Sequence, residues 1–216
     1  GALLTGLRKT MRILFMGSGE IGCPTLDALL SSKAHELVGV VSQPDRPKGR
    51  ALRLTACPAK ALADSKKVPL WTPARADDPG FLAELAALQP DVIVLVSYGQ
   101  MLKRPLLEIP RHGVLNLHPS LLPKYRGAAP IHWAIARGET TTGVTIMLLN
   151  EQMDAGDILL QKAEPISPDD TTATLSPRLA KLGARLMLQV LDDLNAGRLS
   201  RTPQDDREAT FAPRLT

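Results

Sequence analysis

The sequence predicts an α/β domain built on a doubly wound, mostly parallel sheet, with helices on both faces and an antiparallel addition near the C-terminal end. Three observations carry this. Apolar runs of strand length (Arg12–Met16, Leu37–Val41, Val92–Val96, Val114–His118) alternate with segments of helical period. Proline stands in the first turn of helical segments, where its missing N–H is no loss, as at Pro24 and Pro79. After Gly127 the alternation gives way to two neighbouring runs, Gly143–Leu149 and Ile158–Lys162, which flank a turn at Asp154 and read as a hairpin-like pair.

Taken in order, Arg12–Met16 ends at Gly17-Ser18-Gly19 and reads as a buried first strand. Pro24–Ser31 carries Leu26, Leu29 and Leu30 on one side, the spacing of a helix with a single apolar face. Leu37–Val41 is the second strand, and the Pro-, Gly- and Arg-rich stretch 43–57 reads as a long loop. Pro58–Lys66 reads as a helix, Val68–Trp71 as a short strand, and Asp78-Pro79 as the cap and first turn of a helix reaching Leu88. Val92–Val96 is the strongest strand and Val114–His118 the next; Pro130–Ala136 is a short helix, and Thr171–Leu194 a long amphipathic one that covers one face of the sheet. From Asn195 polar residues dominate, with Thr202-Pro203 and Ala212-Pro213 interrupting any regular element. We therefore expect a catalytic-size domain at 11–194 and a linker or tail at 195–216. Gly1–Thr10 places its basic residues after its apolar ones, the reverse of a secretory signal, and reads as a leader or expression scar outside the fold.

Composition narrows the function classes. A hydrophobic content of 44% with 22% charged residues is ordinary for a globular domain, and aromatics at 3% leave the core to Leu, Val, Ile and Ala. The apolar runs are too short to span a bilayer, so we expect a cytoplasmic protein with no membrane partner. Cys23 and Cys57 form no disulfide framework, and neither they nor the histidines His35, His112, His118 and His132 show metal-ligand spacing. No metal is expected. The net charge of +4 resides in one place: residues 43–60 hold Arg46, Lys48, Arg50, Arg53 and Lys60 against Asp45 alone. A basic loop of this kind is a candidate for phosphate contact.

The residues with most chemical content lie in Val114-Leu115-Asn116-Leu117-His118-Pro119-Ser120-Leu121-Leu122-Pro123-Lys124-Tyr125-Arg126-Gly127. Residues two apart on a strand share a face, so Asn116 and His118 project side by side at the carboxyl end of a strand, where open α/β sheets bind ligands. An amide donor beside an imidazole is suited to an oxygen that gains negative charge during acyl transfer. Pro119 and Pro123 stiffen the exit. Ser120 with His118 and Asp154 invites a hydrolase reading, but the G-x-S-x-G elbow is missing and Pro119 restricts their approach. Gly17-Ser18-Gly19-Glu20-Ile21-Gly22 fits G-x-G-x-x-G. Glu20, however, places an acid near the helix start a pyrophosphate would need, and the second strand ends in Val41-Ser42-Gln43 without an acid for a ribose. No nicotinamide cofactor is expected, and the glycines are read as tightening the first strand–helix turn.

The motif N-x-H-P-S-L-L-P-x-Y-R-G, with Met153-Asp154-Ala155-Gly156-Asp157 downstream, resembles the folate-dependent formyltransferases. Within that superfamily Met11–Gly17, Gln43–Arg50 and Gly127–Ile131 are similar to the methionyl-tRNA formyltransferases, and the resemblance runs from about Met11 to about Thr210. It implies a Rossmann-like formyltransferase fold and transfer of a formyl group from 10-formyltetrahydrofolate, a co-substrate, to the amine of initiator methionyl-tRNA. On this resemblance Asn116 and His118 stabilise the formyl oxyanion and assist proton transfer, and Asp154 orients or charges the imidazole and helps to remove the amine proton. Ser120, Leu121, Leu122 and Pro123 would line the folate site, with Ser97, Tyr98 and Gly99 as the neighbouring wall. Arg50, supported by Arg46, Lys48 and Arg53, would meet tRNA, although Ala51-Leu52-Arg53 departs from the family's usual glycine and additional basic residues. The same resemblance implies a β-rich second domain beyond the linker, and we expect a monomer. Formylation of an amino-sugar nucleotide or another small amine stays open as the alternative. Glu20 disfavours glycinamide ribonucleotide, the Asn-x-His pair disfavours formyl-folate hydrolysis, and a pure RNA-binding module leaves Asn116, His118 and Asp154 without a task.

Overall fold

Why the strands take up two faces is visible in their side-chain alternation. The computed structural model describes residues 10–216, so the leader expected at the N-terminus lies, but for Thr10, outside the described residues. The strands are β1 (Met11–Gly17), β2 (His35–Val41), β3 (Arg46–Lys48), β4 (Arg53–Thr55), β5 (Leu70–Trp71), β6 (Val92–Val96), β7 (Val114–His118), β8 (Thr141–Leu148) and β9 (Ile158–Pro165). The α-helices are α1 (Cys23–Ser31), α2 (Pro58–Ser65), α3 (Pro79–Ala87), α4 (Arg104–Leu107), α5 (Pro130–Ala136) and α6 (Thr172–Asn195). Ile13 and Phe15 of β1, Val92, Val94 and Val96 of β6, and Leu115 and Leu117 of β7 enter one core with residues of α1, α2, α5 and α6. Leu14, Met16, Ile93, Leu95 and Val114, the alternate positions, enter a second core with Phe81 and Leu85 of α3 and Leu106 of α4. A strand buried on both sides needs apolar residues at every position, which is why β6 reads Val-Ile-Val-Leu-Val.

The sheet order is β5-β2-β1-β6-β7-β8-β9, parallel from β5 to β7 and antiparallel at β8 and β9. The chain winds outward from β1 through β2 to β5, then returns to β6 and winds the other way. Ligand crevices open at the carboxyl ends of strands around such a reversal. α6 spans one face with Leu175, Leu179, Leu182, Leu186 and Val190 buried in an i, i+3/i+4 stripe. Each such side chain contributes about 1.5–3 kcal/mol. A Cβ on Gly183 would come within 2.3 Å of Leu117, so the glycine lets the helix press on β7 between Asn116 and His118.

Two expectations are corrected. The stretch 43–57 is not all loop: β3 and β4 pair antiparallel, Arg46 opposite Thr55 and Lys48 opposite Arg53. The hairpin was hidden because its residues are all exposed and carry no alternation between polar and apolar. The short α4 also went unread, one turn being too short for a period. Residues 198–212, read as a linker or tail, lie back on the domain: Thr202 pairs with Ile158 and Phe211 with Arg126, and Ala212 is buried. Backbone pairing, which composition does not report, holds them there.

Candidate active site

β7 delivers Asn116 and His118 to its carboxyl end on the second-core face, because Leu115 and Leu117 take the first core. Both side chains are nearly buried. His118 stands opposite Thr145 of β8, whose hydroxyl donates to the Ser120 carbonyl and accepts from Leu122 N–H, fixing the turn that follows the strand. His118 Nε2 lies 2.8 Å from the Tyr125 carbonyl oxygen. A carbonyl only accepts, so Nε2 carries the proton. Nδ1 then faces Asp154, whose Oδ2 lies 3.7 Å away. That is an ion-pair separation and too long for a hydrogen bond. The Asn116 amide makes no hydrogen bond among the described residues. The amide stays open beside the imidazole, where a ligand oxygen can accept from it.

Asp154 sits in the β8–β9 connection at φ 51°, a left-handed conformation that Asp tolerates better than most residues. Its Oδ2 accepts from Gly127 N–H at 2.7 Å. Gly127 has φ 120°, and a Cβ there would lie 2.7 Å from the Ala212 carbonyl oxygen. Gly156 is required more severely, since a Cβ would fall 1.7 Å from the Leu148 carbonyl oxygen. Asp157 serves the turn through its backbone, its carbonyl accepting from Leu148 N–H.

The other expected site residues are placed as follows. The Ser120 hydroxyl donates to the Lys124 carbonyl at 2.6 Å, which commits it to the turn and away from nucleophilic work. Leu121 packs over Gly143, Leu122 is buried, and Gln161 donates to the Leu122 carbonyl; Pro123 is half-buried. Ser97 and Gly99 are exposed past β6, at φ 51° and 93°. The Tyr98 ring, by contrast, enters the second core, and burial pushes its hydroxyl up to about 12. The Tyr98 carbonyl accepts from Gln43 Nε2. Gly17 and Gly22 lie so close to Phe15 and Val96 that a Cβ on either would crowd them, which accounts for that turn by packing. Among the described residues no group of three or more His, Cys, Asp or Glu is placed to hold a metal ion, and no helix is long and apolar enough to cross a membrane.

Arg46, Lys48, Arg50 and Arg53 project from the exposed β3–β4 hairpin, whose turn holds Gly49 at φ 74°. No carboxylate pairs with any of the four among the described residues, whereas Lys60 is paired with Asp45 at 2.7 Å. Sequence reasoning missed the residues that close the site from behind: Arg126, Gln204, Thr210 and Ala212. Thr210 accepts from Tyr125 N–H through its hydroxyl and from Arg126 N–H through its carbonyl. These contacts span some 80 positions of chain, and no local pattern announces them.

Residues 11–191 match the model of the formyl transferase family. The chain is 46% identical over 205 residues to a methionyl-tRNA formyltransferase of Geobacter sulfurreducens, covering 95% of this chain and 64% of that protein. It is 50% identical over 207 residues to one of a Synechococcus species, with the same coverage of both. The chain thus spans about 64% of the length of the curated relatives it matches. Among solved structures, an N-formyltransferase of Helicobacter canadensis in complex with folinic acid and dTDP-3-aminofucose superposes with a TM-score of 0.70 at 18% identity, over 95% of this chain and 71% of that one. That likeness is one of fold.

Proposed function

This chain belongs to the formyl transferase family, and from that membership we propose that it carries the centre that moves a formyl group from 10-formyltetrahydrofolate to the amine of initiator methionyl-tRNA. The observation that carries the reading is the nearly buried, unpaired Asn116 amide beside a histidine whose free ring nitrogen faces Asp154. The relatives' names supply the acceptor, and the folinic acid in complex with the Helicobacter canadensis enzyme supports a folate donor.

The acceptor nitrogen attacks as the neutral amine and forms a bond to the formyl carbon, which becomes tetrahedral with negative charge on oxygen. Asn116 N–H and protonated His118 Nδ1 donate to that oxygen. Such donors contribute roughly 3–4 kcal/mol each when they are aimed in advance. Because Nε2 already donates to the Tyr125 carbonyl, only Nδ1 is available to gain or release a proton. Asp154 compensates the imidazolium charge across 3.7 Å and accepts the proton that the attacking amine loses. Collapse breaks the bond between the formyl carbon and the folate nitrogen, which leaves with the proton of His118 Nδ1, and the proton taken up by Asp154 then passes to Nδ1. No side chain forms a covalent intermediate, consistent with the Ser120 hydroxyl being held in its turn.

The β3–β4 hairpin supports a tRNA acceptor: four cations without carboxylate partners on an exposed arm suit a phosphate backbone. The test is incubation with 10-formyltetrahydrofolate and each candidate acceptor, followed by identification of the product. Formylated methionyl-tRNA is expected. Formylation of an amino-sugar nucleotide with untouched tRNA would replace the acceptor and keep the chemistry.

A further inference from the structure

Within the segment that follows α6, the side chain of Gln204 meets the Asp154 turn. Gln204 Nε2 donates to the Asp154 carbonyl at 2.9 Å and to the Gly156 carbonyl at 2.7 Å. Its Oε1 accepts from Arg126 at 2.9 Å (Nη2) and 3.2 Å (Nε). The amide orientation is forced, since carbonyls only accept and a guanidinium only donates. Arg126 is buried, and its Nη2 also donates to Asp206 at 2.7 Å.

We propose that Gln204 is a positioning residue that sets Asp154 relative to His118; the inference rests on the role assigned above to the Asn116–His118–Asp154 cluster. Three features of that cluster hang on two loops. Tyr125 supplies the carbonyl that fixes His118 Nε2, Gly127 supplies the N–H that fixes the Asp154 carboxylate, and Asp154 is in the other loop. Gln204 joins the loops, through Arg126 on one side and the carbonyls of the Asp154 turn on the other. The left-handed backbone at Asp154 persists only where surrounding contacts hold it. The chemistry of the joint is selective. It needs two donors for two carbonyls and an acceptor for a buried cation, which an amide supplies and which neither a carboxylate nor an ammonium does. Asparagine is one methylene too short to meet both loops at once.

The test uses Gln204→Glu, which retains an acceptor for Arg126 and removes both donors to the Asp154 turn. Turnover should fall about tenfold or more, because small displacements of a catalytic group carry losses of this order, while KM for both substrates stays within about twofold. In a double-mutant cycle with Asp154→Asn the two losses should not multiply, since Gln204 acts through Asp154. Amide exchange at Gly127, which reports the grip on the Asp154 carboxylate, should accelerate in Gln204→Glu and Gln204→Leu. Trp133→Phe, which removes the bond from Trp133 Nε1 to the Pro213 carbonyl further along the same segment, should change neither turnover nor that exchange. Wild-type turnover in Gln204→Glu, fully multiplicative losses, or unchanged exchange at Gly127 would overturn the inference. If Asp154→Asn itself keeps wild-type turnover, the formyl-transfer mechanism fails, and exchange at Gly127 still decides whether Gln204 holds the turn.

Discussion

The loop system around His118 and the β3–β4 hairpin are built on opposite principles. Around His118, segments from three distant parts of the chain are cross-linked by hydrogen bonds to buried or half-buried partners: Tyr125 and Gly127, Asp154 and Gly156, Gln204 and Thr210. Among the described residues the two hairpin strands pair only with each other, all their residues are exposed, and even the apolar Leu52 and Leu54 stand more than two-thirds open. Groups that must meet developing charge within a few tenths of an ångström need a frame that does not reorganise. Cations that meet phosphates gain from reach and from released counterions, and need little fixed geometry. The two regions therefore differ in what a mutation should do to each.

The largest effect should come from the rigid region. His118→Ala and Asp154→Asn should each lower turnover by about a hundredfold or more, with folate affinity much less affected. Steady-state kinetics on both substrates checks this, and near-normal turnover in either variant would remove the mechanism. The paired change should cost less than the sum. Gly156→Ala comes next. Its new methyl would overlap the Leu148 carbonyl, so the turn must move, at a cost of about 1–3 kcal/mol in denaturant unfolding with turnover falling alongside. A variant that unfolds as wild type does would show the Asp154 turn to be softer than its contacts imply.

The hairpin should respond more gently. Arg50→Ala should weaken tRNA binding severalfold and reduce the slope of log affinity against log salt by about one released ion. A salt titration of binding reads both, and a slope that does not move would make the hairpin a solvated surface. The smallest effect concerns an ion pair that the fold does complete. Arg178, then Ser167 N–H and the Thr174 hydroxyl, hold the Asp170 carboxyl well below the usual carboxylate range at the start of α6. A lowered folded-state value stabilises above the unfolded value, about pH 4, and that stability drains as pH falls through the folded value. Asp170→Asn should therefore flatten the acid limb of stability below about pH 4 and leave the profile near neutrality with the same slope. An unchanged acid limb would sink this reading.

The sequence by itself determined the sheet and the placing of the Asn116–His118 pair at the end of β7. Unbroken apolar runs such as Val92–Val96 have no other stable use, and alternation on β7 puts Asn116 and His118 on one face whatever the rest of the chain does. Asp154 was legible through its motif, with Gly156 beside it. Only the tertiary structure decided what each polar group faces: that His118 Nε2 is already committed to Tyr125, that the Ser120 hydroxyl and the Tyr98 ring turn away into turn and core, and that residues 198–212 return to grip the loops around His118. The physical reason is range. Periodicity reports burial between near neighbours along a chain, whereas a single amide such as that of Gln204 finds its partners 48 to 78 positions away, set by how the strands have already packed.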